Sequence, residues 1–347
     1  MAVMRLIVAA AAVVLLLAGC SAAPEPTPTP TASATRSPAP EPQGAPEPRL
    51  PVDCPDLFSE DGASLVLGTS VSLKVGDDAV RNPGFAQERQ VGTLTCIWGG
   101  ESMTNNSWDT SIQLRVLSDA DADFDRGVWS VDDGAIVYPE GELSEYLCSD
   151  AGTWTSYPMC RANVLLDGYW AQAIVTFAHG DSGVAREAAE VAMRGIVDTI
   201  RAVIGNAGEP RPVWVAPDDS LVGAACDGRP AVVDESTLGD VLEFVARDRA
   251  PYRWCEWSEG VTVAILAGGS WAIDGLEAYG DRPYWSVPPF SAVSVAGADA
   301  ALAACELECV LVAAVGGSLV SIYAPGPDVP SLVATAEPIL AELAAAG

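Results

Sequence analysis

Lysine occurs once in this chain of 347 residues, at Lys74, and histidine once, at His179. Eighteen Lys and Arg stand against 47 Asp and Glu, a formal net charge of −29. A field of that sign repels nucleic acid and bare anionic membrane surface, so nucleic-acid binding is excluded. It would attract cations, cationic peptides or basic partner patches. One histidine and no C-x-x-C pair cannot assemble a zinc set, so neither a metal site nor a cofactor is expected. The apolar run at the N-terminus, residues 6–17, is too short to cross a bilayer comfortably.

That run is nevertheless informative. Arg5 precedes it as a positive n-region, and it closes in Leu17-Ala18-Gly19-Cys20 rather than in an A-x-A-like site. The four residues resemble the lipobox of bacterial lipoproteins. The resemblance implies a signal peptide over 1–19, a diacylglyceryl (palmitate-type) modification on the Cys20 sulfur, and anchoring on the extracytoplasmic face of the cell membrane. Stable anchoring takes two chains, since one binds only marginally. Cleavage before Cys20 would remove a single charged residue, Arg5, leaving the remainder slightly more acidic. Residues 20–50 read as a Pro/Thr-rich tether, with Pro24, Pro26, Pro28 and Pro30 spaced by two. Such a segment favours extended polyproline II and reaches about 90 Å at roughly 3 Å per residue. Its Thr/Ser-Pro character also suits O-glycosylation.

With Cys20 taken by lipid, eight of the nine cysteines remain, an even number that outside the cytoplasm reads as four disulfides. The chain looks duplicated. Setting Cys160 on Cys309 aligns sixteen residues without a gap, each stretch an apolar run broken by Asp167-Gly168 or Gly316-Gly317. Those pairs are type I′ hairpin signals. Upstream, Cys96-Ile97-Trp98 corresponds to Cys255-Glu256-Trp257, each followed by a second strand at 110–116 or 261–266. Alternation puts Cys and Trp on one strand face, so Trp98 and Trp257 are expected in the core beside their disulfides. Eight cysteines allow 105 pairings. The duplication selects Cys54–Cys96 with Cys226–Cys255, and Cys148–Cys160 with Cys305–Cys309.

Helices are expected at 55–67 and 184–204 in the first copy, the latter capped by Ser182 and stopped by Gly205. In the second they fall at 236–247 and 332–345, the last preceded by Asp328 and weakened by Pro338. The fold class is therefore α+β. Two tandem repeats, 51–209 and 210–347, each carry a small antiparallel sheet of two hairpins, covered by helices and stapled by disulfides. An early cysteine, a helix, a Cys-x-Trp strand and an upstream lipobox with a Pro/Thr tether resemble actinobacterial lipoproteins of uncharacterised function. The resemblance brings no reaction with it.

Three further patterns invite a functional reading. Gly180-Asp181-Ser182-Gly183 is similar to the nucleophile segment of trypsin-like serine proteases, but that chemistry needs a histidine from a distant segment. His179 is three residues away, and the stretch reads as loop and helix cap. Asp119, Asp121, Asp123 and Asp125 match the start of a calcium loop, yet Phe124 and Ser130 stand where such a loop needs glycine and glutamate. They read as a solvated acidic face. Aromatic residues gather in the two segments that differ most between the copies: Trp129, Tyr138, Tyr146, Trp154 and Tyr157 in one, Trp271, Tyr279, Tyr284, Trp285 and Phe290 in the other. They either roof the core or form a binding platform, with Trp129, Tyr138, Tyr284 and Trp285 as its ligand-contacting candidates. No spacing among the acids marks a catalytic pair. The expectation is a non-enzymatic, membrane-anchored envelope protein that binds an envelope ligand or protein partner. The alternatives are an envelope hydrolase using Asp/Glu chemistry and a structural or sensory spacer.

Overall fold

Asp167-Gly168 and Gly316-Gly317 turn the chain through the tight corners that their sequence signals specify. Their φ values are 46° and 82° in the first and 56° and 90° in the second. Two antiparallel sheets form around these hairpins. The computed structural model describes residues 44–76, 80, 82–100, 103–104, 107–108, 110–120, 136–137, 144–149, 159–176, 186–216, 221, 226–232, 241–279, 290–305 and 309–346.

In the first repeat the strands are β1 (Ser72–Val75), β2 (Leu94–Gly99), a small ribbon of β3 (Met103–Thr104) with β4 (Ser107–Trp108), β5 (Ser111–Ser118), β6 (Ile136–Val137), β7 (Ser144–Ser149), β8 (Met159–Leu166) and β9 (Tyr169–Thr176). Leaving out the ribbon, they pair in the order β1-β2-β5-β9-β8-β7-β6. The second repeat has β10 (Tyr252–Ser258), β11 (Val261–Leu266), β12 (Ser291–Val293), β13 (Ala300–Cys305), β14 (Cys309–Val315) and β15 (Ser318–Ala324), ordered β10-β11-β15-β14-β13-β12. Both sheets are thus larger than the two hairpins expected of each, because β7 and β13, the strands that carry Cys148 and Cys305, add a further rung beside β8 and β14.

The registers of the two sheets match. Cys96 lies opposite Leu114 and Cys255 opposite Val263; Leu114 lies opposite Ala173 and Val263 opposite Ile322. Every strand-to-strand step from β2 to β7 has its counterpart between β10 and β13.

The outward face of each sheet is covered by helices of its own repeat. Leu94, Cys96, Trp98, Leu114, Val116 and Val175 pack beneath α1 (Cys54–Leu57), α2 (Glu60–Leu67) and α4 (Arg186–Ile204). Helix α3 (Pro83–Gln90) lies on the opposite face of the sheet. The expected helix over 55–67 is two helices, because the chain extends at Phe58 (φ −156°, ψ 122°) and restarts under a new cap, Ser59, which accepts from the Gly62 amide. In the second repeat Val263, Ile265, Leu311, Val320 and Ile322 meet Leu332, Ala336, Ile339 and Leu340 of α7 (Val329–Ala346). Pro338 is accommodated inside that helix rather than ending it.

Between the sheets lies a shared layer. It holds α3, α5 (Val241–Arg249), a 3₁₀ turn (Gly269–Trp271) and α6 (Ala272–Tyr279). One cluster there joins Val75, Val80, Phe85, Ala86 and Ile97 of the first repeat to Leu266, Leu276, Leu302, Val312 and Leu319 of the second. Another joins Leu117 and Trp170 to Leu242 and Ala246. Residues 42–347 therefore form one unit. Residues 44–50, which by composition end the tether, belong to this body, with Pro46, Pro48 and Leu50 buried.

Candidate functional site

The inner face of the first sheet carries a row of polar side chains. Thr95 lies opposite Arg115, Arg115 opposite Gln172, and Gln172 opposite Asn163. All four are buried, Gln172 at 1 % exposure. Alternation places them there: Cys96 and Leu114, one residue along, point to the other face. Helix α3 closes over the row and adds Glu88, itself 1 % exposed. Its Oε2 accepts from Thr95 Oγ1 at 2.9 Å and from Arg115 Nε at 3.1 Å. Turned with its oxygen toward the guanidinium, the Gln113 amide accepts from Nη1 and Nη2 of Arg115 at 2.6 and 2.7 Å. Asn163 Oδ1 accepts from Trp170 Nε1 at 3.0 Å and Gln172 Nε2 at 3.3 Å. The corresponding row of the second repeat reads Trp254, Ala264, Ser321 and Val312. The charged pair therefore has no counterpart among these positions of the second sheet, and in it Glu88 engages Thr95 and Arg115 through Oε2 while its Oε1 is buried without a hydrogen-bond partner.

A second arrangement fixes the start of the body. Arg49 donates its amide to Gly92 O at 2.8 Å and its Nε to Arg211 O at 2.9 Å, and its guanidinium pairs with Asp119. Arg211 returns its own amide to Arg49 O at 2.8 Å and Nη1 to Pro48 O at 2.9 Å. Arg89 Nε reaches Pro46 O and Trp214 Nε1 reaches Gly44 O. Segment 44–50 is thereby pinned to the connection between the repeats. Beside it, burial raises the Tyr169 pKa, an effect reduced by the Arg49 charge and reinforced by Asp119.

Disulfides join Cys54 to Cys96, Cys226 to Cys255, and Cys305 to Cys309. Cys160 is also disulfide-bonded, and the register sets Cys148 directly opposite it, though the Cys148 side chain lies outside the described residues. The first of these closes a loop of 42 residues, where chain entropy alone supplies about 4 kcal/mol. Trp98 is fully buried and meets Phe58 edge-on at 5.9 Å. Trp257 is only half-buried, with the Arg229 guanidinium 3.6 Å above its ring, which corrects its expected place in the core.

Of the insert aromatics, Trp271 and Phe290 pack against the shared core and act as its roof. Cys20, Trp129, Tyr138, Tyr284 and Trp285 lie outside the described residues, as do His179, Ser182 and the acidic positions 121–125. Asp119 is exposed, and its carboxylate pairs with Arg49. Among the described residues, no group of three or more metal-ligating side chains comes together, and no helix is long and apolar enough to cross a membrane. Signals for α3 were present in Asn82-Pro83, a cap followed by proline at the first helical position, with Asn82 Oδ1 accepting from Phe85 N.

These features define a disulfide-stapled α+β protein whose two antiparallel sheets share a core. No family model and no curated protein matches the chain. Among solved structures it is similar to the di-domain ARO/CYC StfQ from the steffimycin biosynthetic pathway, at 13 % identity over 86 % of this chain and 94 % of that one, with a TM-score of 0.15. It is also similar to DynU16 from the dynemicin biosynthetic locus, at 10 % identity over 80 % and 95 % of the two chains, with a TM-score of 0.13. At those scores neither likeness carries an argument about fold or activity.

Proposed function

We propose that the protein is a non-enzymatic lipoprotein of the cell envelope, held on the membrane through Cys20, that binds an envelope ligand or protein partner through the two inserts. The supporting observation is the scaffold. Both inserts leave from equivalent strand ends, Ser118 and Leu266, of sheets that are stapled by disulfides and fixed against each other. Long connections on a rigid framework are where binding residues gather. The buried Glu88–Arg115 pair fits this reading, since an acid engaged by two internal donors and enclosed by α3 is placed to hold structure.

The test is co-sedimentation of the purified body with isolated cell-wall glycan, followed by product analysis on the same material. Retention that is lost on Trp129→Ala, Tyr138→Ala, Tyr284→Ala and Trp285→Ala, with thermal unfolding unchanged, supports the proposal. Released sugar fragments would make the protein a hydrolase. No retention, with several kcal/mol lost in the same variants, the cost expected of emptying aromatic core sites, would leave a spacer whose aromatics roof the core.

A further inference from the structure

The contacts between the repeats come in matched pairs. Aligning Cys96 with Cys255 places Gln90 on Arg249, each the last residue of the helix that precedes the Cys-x-Trp strand. Carried through the strand registers, the same alignment places Ser118, the last residue of β5, on Ala267, the first residue past β11. Gln90 Nε2 donates to Ala267 O at 2.7 Å. Arg249 Nη1 donates to Ser118 O at 2.9 Å, and its Nη2 to Asp119 O at 2.7 Å. So residue i of the first repeat binds residue j of the second, while residue j of the first is bound by residue i of the second. The helices that carry the two donors, α3 and α5, also pack on one another. Reciprocity of this kind marks an isologous interface, the geometry by which two copies of one subunit associate about a two-fold axis.

The buried surfaces obey the same rule. Leu242 and Ala246 of α5 pack on Leu117 and Trp170 of the first sheet. Phe85 and Ala86 of α3 pack with Leu266 and Leu319 of the second. Helix α5 thus packs on the first sheet, while α3, which closes over the polar row of its own sheet, also meets the second. Gly275 permits a close approach to Val80, since a Cβ there would stand 2.9 Å from Val80 Cβ.

We infer that the shared layer is a homodimer-type interface enclosed within one chain, and that the surface on each repeat is built to receive a second copy of the repeat. The connection through 208–216 makes that partner permanent without being needed to hold it. This inference stands apart from the proposed binding role, which concerns the inserts.

The experiment uses the intact, oxidised protein with a protease recognition sequence inserted after Val215, which is 65 % exposed. After cleavage, the halves should co-elute at the size of the uncut protein and separate only in denaturant without reductant. Two separate halves at micromolar concentration in native buffer would overturn the inference. In the cleaved protein, Gln90→Ala and Arg249→Ala should each weaken association, by factors within about tenfold of each other, since Arg249 contributes the charged member and a second bond. A loss confined to one of the two variants would show a contact that is not isologous, and would equally overturn the inference.

Discussion

Glu88 Oε2 and Arg115 Nε face each other at 3.1 Å between α3 and the first sheet, with both side chains 5 % exposed or less. An enclosed ion pair adds little net stability, but removing one partner strands the other charge. Glu88→Ala should therefore cost about 3–5 kcal/mol in urea unfolding, and Arg115→Ala a similar amount. The double change Glu88→Ala with Arg115→Ala should cost distinctly less than the sum of the singles. Additive losses would mean that the two groups do not depend on one another.

Gly92 sits at φ 80°, and a Cβ there would lie 2.2 Å from Arg49 Cγ. Gly92→Ala should displace Arg49 from Arg211 and Asp119. Hydrogen exchange at the amides of Arg49 and Arg211 is expected to quicken markedly, while amides of β8 and β9 keep their protection. Unchanged exchange at Arg49 would show that the clamp tolerates the clash.

Asp328 caps α7, its Oδ1 accepting from the Ser331 amide at 2.9 Å, and hydrogen bonding to Ser331 holds its pKa below the ordinary 3.8. A depressed folded value means that the cap is fully formed above the unfolded pKa and is lost as pH falls through the lower folded one. An NMR titration of the Asp328 carboxyl should give a midpoint under 3.8. Asp328→Asn should keep the cap but remove its acid dependence.

Under the proposed lipid anchoring, replacing Cys20 with Ala should release the protein from the membrane fraction or leave it unprocessed, because acyl chains carried on that sulfur would have no other attachment. Fractionation and migration like the unaltered protein would remove the lipoprotein reading.

The hairpins were legible because their signals are local. Asp167-Gly168 and Gly316-Gly317 demand positive φ whatever surrounds them, and 261–266 reads as the observed strand β11. Other elements were hidden by chemistry. Helix α3 buries Gln87, Glu88 and Gln90, so its inward face carries no apolar period. Strand β13 is mostly alanine and shows no strand preference, and pairing with β12 and β14 makes it extended. Within the legible hairpin Asn163 faces Gln172, but the approach of Thr95 and Arg115 from β2 and β5 to complete the polar row is set by the order and register of the sheet.

The clamp at Arg49 and Arg211 has a mechanical consequence. A pull on the chain at Gly44 acts along 44–50, which is fastened at several points to Gly92, Arg89 and the 211–214 stretch. These bonds lie side by side along the segment, so they would be loaded together, in shear, rather than opened one after another. Force entering there would be divided between the first sheet's body and the 211–214 connection before it reaches α1.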